Sequence, residues 1–134
     1  MYEKLNDFGL HTVLDTLPCA VFIKGENLRF IYVNRAYEVM FDVKAKEVLG
    51  KTVLDLNYLP EEDRTFYQKE DQEMVTRRET RHHIFQYKLP DGKTHTCLYW
   101  SGGFIQDDGL RGILGVIVDI TQESRIITML HQKL

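Results

Sequence analysis

The chain contains 134 residues, of which 43% are hydrophobic and 28% are charged, and its formal net charge is −3. This length suits one domain with its own core, and the composition excludes disorder, collagen and a coiled-coil rod for the chain as a whole. The 17 basic residues do not exceed the 20 acidic ones, so direct binding to nucleic acid is not expected.

Apolar spacing and turn residues in the first half of the chain predict a helix, a β-hairpin and two short helices. These elements are expected at 2–17, at Cys19–Lys24 with Leu28–Asn34, at Arg35–Asp42 and at Ala45–Leu49. Pro18 is predicted to end the first helix, and Gly50 to cap the last.

The second half begins with an irregular segment at 53–59, followed by the longest predicted helix, from Pro60 to Arg78. Acidic residues follow the proline and two arginines close the helix, an order that complements the helix dipole. From Thr80 apolar and polar residues alternate, which predicts strands joined by two glycine-containing turns. The remaining elements are three strands and an exit helix, at Thr80–Leu89, Lys93–Ile105, Leu110–Asp119 and 120–134.

Cysteine usage and hydropathy bear on location. Cys19 and Cys97 are far apart and neither belongs to a CxxC motif, so we expect no disulfide framework and a reducing compartment. No apolar run reaches the roughly 20 residues that span a bilayer, and the N-terminus is unlike a signal peptide. These features predict a cytoplasmic chain without membrane contact. Because the sequence stops inside a predicted helix, we expect it to be part of a longer protein.

Strands grouped at both ends, without βαβ alternation, indicate an α+β fold with one antiparallel sheet and helices on one face. Short motifs accompany these elements in a specific order. They are Leu17-Pro18, Ile31-Tyr32-Val33-Asn34, Val48-Leu49-Gly50-Lys51, Leu59-Pro60-Glu61-Glu62-Asp63, Asp71-Gln72-Glu73-Met74-Val75, Pro90-Asp91-Gly92, Gly112-Ile113-Leu114-Gly115-Val116 and Asp119-Ile120-Thr121. In this order the chain resembles the PAS family, in particular bacterial sensory-box members with a PAC-like C-terminal region.

The resemblance implies five antiparallel strands in the order 2-1-5-4-3, with helices that enclose a pocket on one face. It also implies three parts: an N-terminal amphipathic helix at 1–17, a PAS domain at 18–121 and the start of a signalling helix at 122–134. In this family, Asp-Ile-Thr marks the junction between the domain and that helix.

The residues of this junction have their own physical logic. Asp119 and Gln122 have the spacing of a capping box, and Thr121 is an alternative cap. We therefore expect Asp119, Thr121 and Gln122 to convert strand direction rigidly into helix direction and to relay a signal. Ile120, Ile127 and Leu134 are seven residues apart, as in a coiled-coil seam, although an amphipathic tail folded onto the sheet would show the same pattern.

A homodimer is the expected assembly, formed through the first helix, the outer sheet face and the exit helix. The residues predicted to form its interface are Leu5, Phe8, Trp100, Ile127 and Leu134.

A ligand pocket is expected where polar and aromatic residues share the inner face. The resemblance implies that the side chain ending the second strand, Asn34, points at the ligand. The other predicted pocket residues are Tyr37, Met40, Phe66, Met74, Phe85, Tyr87, Cys97 and Tyr99. Filling of the core alone is the alternative interpretation of these residues, since small-ligand pockets are mainly apolar as well.

The cofactor remains unknown from the sequence. Residues 60–78 contain no histidine for a heme of the family's usual kind, residues 50–60 contain no cysteine for a cysteinyl-flavin, and CxxCH is absent. FAD and a small metabolite both stay open. His82 and His83 should point to opposite faces of a strand, and no metal-ligand spacing accompanies them or His95, so no metal site is predicted.

No nucleophile elbow, P-loop or dinucleotide motif is present, so the module itself is predicted not to be an enzyme. We expect a sensory module of a bacterial or archaeal signalling protein, such as a two-component system, that binds a small ligand or responds to a redox cue. The attached effector would be a histidine kinase, a cyclic-dinucleotide enzyme or a transcription regulator. The alternative is a ligand-free module for dimerisation or protein interaction.

Overall fold

Five antiparallel strands form one sheet in the order β2-β1-β5-β4-β3. The computed structural model describes residues 4–133, apart from the side chain of Asn6. The strands are β1 (Ala20–Gly25), β2 (Phe30–Val33), β3 (Thr80–Lys88), β4 (Thr94–Ile105) and β5 (Arg111–Asp119). This topology confirms the predicted α+β fold and strand order.

Helices cover one face of the sheet, and further helices precede the first strand and follow the last one. They are α1 (Leu10–Leu14), α2 (Arg35–Phe41), α3 (Ala45–Val48), α4 (Glu61–Val75) and α5 (Thr121–Lys133), with short 3-10 turns at Leu5–Asp7 and Val53–Asp55. Side chains from α2, α3 and the second 3-10 turn meet inward-facing strand residues in the main core. Within residues 4–133, no helix is both long enough and apolar enough to cross a membrane.

The N-terminal segment differs from the predicted helix at 2–17, of which the first two residues lie outside the described part. Leu5–Asp7 forms one 3-10 turn, the backbone is extended at Phe8 and Gly9, and α1 is only five residues long. A glycine inside a helix costs about 1 kcal/mol relative to alanine. Little tertiary contact opposes this preference, because Leu5 is 84% exposed.

The long helix is also shorter than predicted. Pro60 is its N-cap and Thr76 its C-cap, so Arg77 and Arg78 lie beyond the helix and not in its last turn. The chain must reverse here to begin β3, and the carbonyl of Glu79 already accepts the N–H of Gly103 on β4 at 2.9 Å. Pairing with the sheet therefore ends the helix before the arginines.

Strand β3 shows the predicted alternation of exposed and half-buried residues along its whole length. His83, Phe85 and Tyr87 occupy the less exposed positions, while His82 and Ile84 are exposed. The outer face of the sheet thus keeps a share of apolar surface, and the inner face carries the aromatic residues of the core.

Gly115 of β5 sets the position of an aromatic ring in the core. It lies opposite Phe22 of β1, and a Cβ atom at Gly115 would collide with the Phe22 ring. The ring lies across this gap, with its centroid 5.2 Å from that of Phe30 and 6.0 Å from that of Tyr99. The absence of a side chain on β5 therefore allows these rings to pack together.

We expect Gly115→Ala to lower the free energy of unfolding by about 1–3 kcal/mol, because the added methyl group forces the Phe22 ring out of its place. Urea denaturation would measure the change. Val118→Ala, on the outer face of the same strand, is the control and should change stability by no more than about 0.5 kcal/mol. Equal stability of the wild type and Gly115→Ala would contradict this account of the core.

Candidate functional site: an aromatic cavity with a buried ion pair

A cavity of about 40 Å³ lies between the inner face of the sheet and the helices. One water molecule needs roughly 10–15 Å³ of such volume, so the cavity has room for about three. Aromatic rings and aliphatic side chains form most of its wall. The lining residues are Phe22, Lys24, Phe30, Tyr37, Phe41, Val53, Leu56, Leu59, Tyr67, Phe85, Tyr87, Tyr99 and Ile117.

The structure brings some of the predicted pocket residues together at this cavity and places others elsewhere. Tyr37, Phe85, Tyr87 and Tyr99 are part of the lining. The remaining predicted residues, Asn34, Met40, Phe66, Met74 and Cys97, are not.

Asn34 has a structural position because its side chain is fully occupied by the backbone. Its Oδ1 accepts N–H bonds from Val21 at 2.8 Å and from Tyr37 at 3.0 Å. Its Nδ2 donates to the carbonyls of Leu14 at 3.1 Å and Cys19 at 3.0 Å. As the N-cap of α2, Asn34 joins that helix to the first strand and to the segment before it, and it has no group left for a ligand.

The other four residues lie outside the cavity for different reasons. Met40 packs against the main core, and Met74 belongs to a second cluster of buried residues. Phe66 is 52% exposed, with its ring beside that of His83. Cys97 is buried in the main core, and burial raises the pKa of its thiol to about 11, so it stays protonated and unreactive at neutral pH.

Lys24, the charged residue of the cavity lining, belongs to a buried ion pair that sequence reasoning missed. Lys24 of β1 is 2% exposed and Asp71 of α4 is 1% exposed. Lys24 Nζ donates a hydrogen bond to Asp71 Oδ2. The same Nζ lies 4.5 Å from the ring centroid of Phe30 and 5.2 Å from that of Phe22, over the faces of both rings. One signal in the sequence could have revealed that Lys24 is buried: it is two and four positions from Phe22 and Ala20, so all three side chains point to the same, buried face of β1.

Burial and mutual attraction act in opposite directions on this pair. Burial lowers the pKa of Lys24 and raises the pKa of Asp71, while the charge of each partner favours the ionised form of the other. Loss of one partner would leave a buried charge without compensation, which typically costs 3–5 kcal/mol. The two residues therefore depend on each other.

Glu70, the neighbour of Asp71 on α4, connects the helix to β3. Its Oε2 lies 2.7 Å from His83 Nε2 and 3.8 Å from Arg81 Nη1. Arg81 also contacts Glu73, one turn further along the helix, at 2.8 Å. This cluster holds the face of α4 that carries Asp71 against the sheet.

Several buried polar atoms near the cavity have no hydrogen-bond partner among the described residues. They include Asp71 Oδ1, Glu70 Oε1 and Tyr87 Oη. Tyr37 Oη, in contrast, lies 2.6 Å from Tyr58 Oη. Burial raises the pKa of Tyr58 to about 12 and that of Tyr87 further, so both phenols keep their protons at neutral pH. Of the unpaired atoms, only Tyr87 Oη belongs to a residue that lines the cavity, so the wall combines apolar rings with one unpaired hydroxyl group.

The junction at the end of β5 is tied to the adjacent strand β4. Asp119 Oδ1 accepts the N–H of Thr121 at 3.0 Å, and Thr121 Oγ1 accepts the N–H of Thr96 at 2.9 Å. The spacing of Asp119 and Gln122 suits a capping box, but within residues 4–133 no hydrogen bond joins them: Asp119 Oδ1 is bonded to Thr121, and Gln122 is exposed. The junction geometry is therefore set by Asp119 and Thr121.

His95 of β4 bridges the junction to the β3–β4 turn. Its Nδ1 lies 2.6 Å from Asp119 Oδ2, and its Nε2 lies 2.7 Å from Asp91 Oδ2. In the ladder His95 lies opposite Tyr87, four positions from His83, and His82 and His83 themselves point to opposite faces of β3. Within residues 4–133, no group of three or more His, Cys, Asp or Glu side chains could hold a metal ion.

The predicted interface residues lie on the surface where they are described. Leu5, Phe8 and Ile127 are exposed, and Trp100 is half-buried on the outer sheet face. Leu134 lies outside the described residues, so only Ile120 and Ile127 of the predicted coiled-coil seam can be located in the structure.

We expect Lys24→Met to lower the free energy of unfolding by about 3–5 kcal/mol, because Asp71 then stays buried without its partner. The double variant Lys24→Met with Asp71→Leu should recover most of this loss, since apolar side chains of similar volume replace the pair. Urea denaturation would compare the two with the wild type and with Lys51→Met, which changes an exposed lysine. If the double variant were as unstable as the single one, the mutual dependence of the pair would be wrong.

Comparisons with known proteins agree with this architecture. The profile of the PAS fold matches residues 10–120. Over 125 residues the chain is 28% identical to the virulence sensor protein BvgS of Bordetella parapertussis, a match that covers 91% of this chain. The chain spans only 10% of the length of that relative.

Solved structures show the same fold. The PAS domain of BvgS from Bordetella pertussis superposes with a TM-score of 0.75 at 25% identity, covering 92% of each chain. The VqmA–ligand–DNA complex of Vibrio cholerae has a TM-score of 0.73 at 19% identity, covering 90% of this chain and 53% of that one. The sheet order, the profile match and the alignment with BvgS place this chain in the PAS family.

Proposed function

We propose that this chain is a sensory module that binds a small ligand in the aromatic cavity and passes the resulting change through Asp119-Ile120-Thr121 to an effector in the same protein. The observation that carries the proposal is the buried pair of Lys24 and Asp71 at a partly open aromatic cavity, together with the unpaired buried oxygen atoms of Asp71 and of the lining residue Tyr87. Packing alone does not require such a pair, because apolar residues of similar volume are often equally stable or more so. Buried polar atoms without partners are rare in native proteins and suggest a missing partner.

The size of the cavity bears on the class of ligand. Room for about three water molecules does not accommodate heme or FAD without reconstruction of the core. A small metabolite fits the site better, provided that half-buried side chains such as Leu59 and Tyr67 move. Its binding would shift the balance between two packings of the core only by its difference in affinity for them.

Two strands connect the cavity to the junction over a short distance. On β5, the cavity residue Ile117 is two positions from Asp119, which is about 7 Å along a strand. The cavity residue Tyr99 of β4 pairs with Ile117 of β5 across the ladder. Thr96, also on β4, donates its backbone N–H to Thr121. A change in the packing of Tyr99 or Ile117 would therefore reach the first turn of α5 through hydrogen-bonded backbone.

The effector and the assembly belong to the same proposal. The match to a small part of a much longer sensor protein supports a covalently attached effector, such as a histidine kinase, a cyclic-dinucleotide enzyme or a transcription regulator. On α5, Ile126, Ile127, Met129 and Leu130 are each about half exposed, which supports a homodimer through this helix. The free cysteines Cys19 and Cys97 support a reducing, cytoplasmic setting.

A ligand-free interaction module is the second candidate. The observations that favour it are the small volume of the cavity and the apolar surface exposed at both ends of the described chain. In this case the ion pair would serve to fix the packing of α4, and the sheet face and α5 would dock a partner.

Native mass spectrometry of the freshly purified chain would distinguish these candidates. We expect an extra mass that is lost on denaturation, and we expect it to be absent from Leu56→Phe, in which a larger side chain fills the cavity. Leu54→Phe, at an exposed position of the same turn, is the matched control and should keep the extra mass. A dimer without added mass in every variant would favour the interaction module.

The His95 bridge, which holds the junction of the proposed relay, should stabilise the domain in a pH-dependent way. The hydrogen bond to Asp91, together with that to Asp119, raises the pKa of His95, with partial burial acting against them. Stabilisation by the bridge is thus fully present below the ordinary histidine pKa of about 6.5 and is lost as pH rises through the higher folded-state pKa. The carboxylates must also stay ionised, and hydrogen bonds hold the pKa of Asp91 below its usual value.

We therefore expect the stability difference between the wild type and His95→Gln to be greatest between about pH 5 and 6 and to shrink towards pH 9. Urea denaturation across this range would measure it, with His82→Gln on the outer face of β3 as the control.

In the full-length protein, Asp119→Ala should uncouple the sensor from its effector, whereas Asp107→Ala in the exposed turn should not. Unchanged signalling in Asp119→Ala would count against the relay.

A further inference from the structure

We infer that the ligand of the cavity is an uncharged, planar ring compound that bears a hydrogen-bond acceptor, and that Lys24 donates to this acceptor while remaining paired with Asp71. The inference rests on the proposed ligand-binding function and specifies its chemical class. Three properties of the site support it: the free donors of Lys24, the charge balance around the ion pair and the aromatic character of the wall.

The ammonium group of Lys24 has hydrogen-bond donors that the protein does not use. An ammonium group carries three N–H donors, and within residues 4–133 the only hydrogen bond that Nζ makes is the one to Asp71. The same Nζ lies over the rings of Phe22 and Phe30, 5.2 and 4.5 Å from their centroids. Both rings line the cavity, so an acceptor placed there would reach the ammonium group without displacing Asp71. A charge-assisted hydrogen bond to oxygen is stronger than a neutral one.

The charge balance around the ion pair disfavours an ionised ligand. Lys24 and Asp71 already neutralise each other, and the buried Glu70 adds a second carboxylate on α4, which His83 and Arg81 face from β3. An anionic ligand would bring a third negative charge into this buried region. A cationic ligand would be repelled by the Lys24 ammonium group, which already lies over the ring faces. Either would be an uncompensated buried charge, whereas a neutral acceptor leaves the ion pair intact.

The wall of the cavity favours a ring. Aromatic side chains approach one another there in tilted or edge-to-face geometry, with Tyr37 and Phe41 at 4.8 Å and Phe85 and Tyr87 at 4.9 Å between centroids. A planar ring can join such an arrangement with the same contacts. The cavity of about 40 Å³ is smaller than the roughly 150 Å³ that encloses benzene, so even one ring with small substituents enters only when half-buried side chains such as Leu59 and Tyr67 move. The hydroxyl of Tyr87, which has no described partner, offers a second polar contact that can donate or accept.

Three probes of nearly equal shape test the inference: benzamide as the neutral acceptor, benzoate as its anionic counterpart and toluene as the ring without an acceptor. Two-dimensional NMR of the isotope-labelled chain at pH 7 would give the Kd of each probe from the shifts of cavity residues. We expect benzamide to bind at least tenfold more tightly than benzoate or toluene. In the double variant Lys24→Met with Asp71→Leu, which removes both charges, benzamide should lose its advantage over toluene, whereas Lys51→Met should keep it.

The outcomes separate this inference from the function on which it depends. Benzoate binding as tightly as benzamide would overturn the claim of an uncharged ligand, and toluene binding as tightly would overturn the role of Lys24. Failure of all three probes to shift cavity signals would overturn the ring class. In each case a bound mass in the native spectrum, absent from Leu56→Phe, would still support the proposed ligand-binding function.

Discussion

The interior of this domain depends on a single ion pair between Lys24 of the first strand and Asp71 of the long helix. Both residues are almost completely buried, so each charge is tolerated only because the other is present. The pair joins α4 directly to the first strand of the sheet. The same ammonium group lies over the rings of Phe22 and Phe30 at one end of the cavity. A change that reaches this pair therefore reaches both layers of the fold.

The position of the pair also relates the cavity to the exit of the chain. Strand β1, which carries Lys24, pairs with β5, and β5 pairs with β4. The last residues of β5 and the start of α5 are bonded to β4 through Thr96, Asp119 and Thr121. Since these strands line the cavity and hold the junction, no separate pathway is needed to connect them. The proposed relay would use only the hydrogen bonds of the sheet itself.

Parts of the candidate site were predictable from the sequence, and parts were not. Period-two alternation correctly placed Phe85, Tyr87 and Tyr99 on the inner face, because strand geometry alone decides which face a residue occupies. Asn34 was predicted to face a ligand, but the backbone groups that it binds come from three separate segments, a coincidence that only the folded chain reveals. The pairing of Lys24 with Asp71 joins residues 47 positions apart, and no local pattern indicates it.

The sequence by itself determined the element types, the antiparallel sheet and the family, because these depend on periodicity, turn residues and short motifs that act locally. Its predictions were weakest where local preference was balanced, as in the N-terminal segment around Gly9 and at the end of α4. Tertiary structure decided those boundaries, the partners of Asn34, the lining of the cavity and the bridge from His95 to Asp119. Each of these depends on distances between elements, and such distances exist only once the layers have packed.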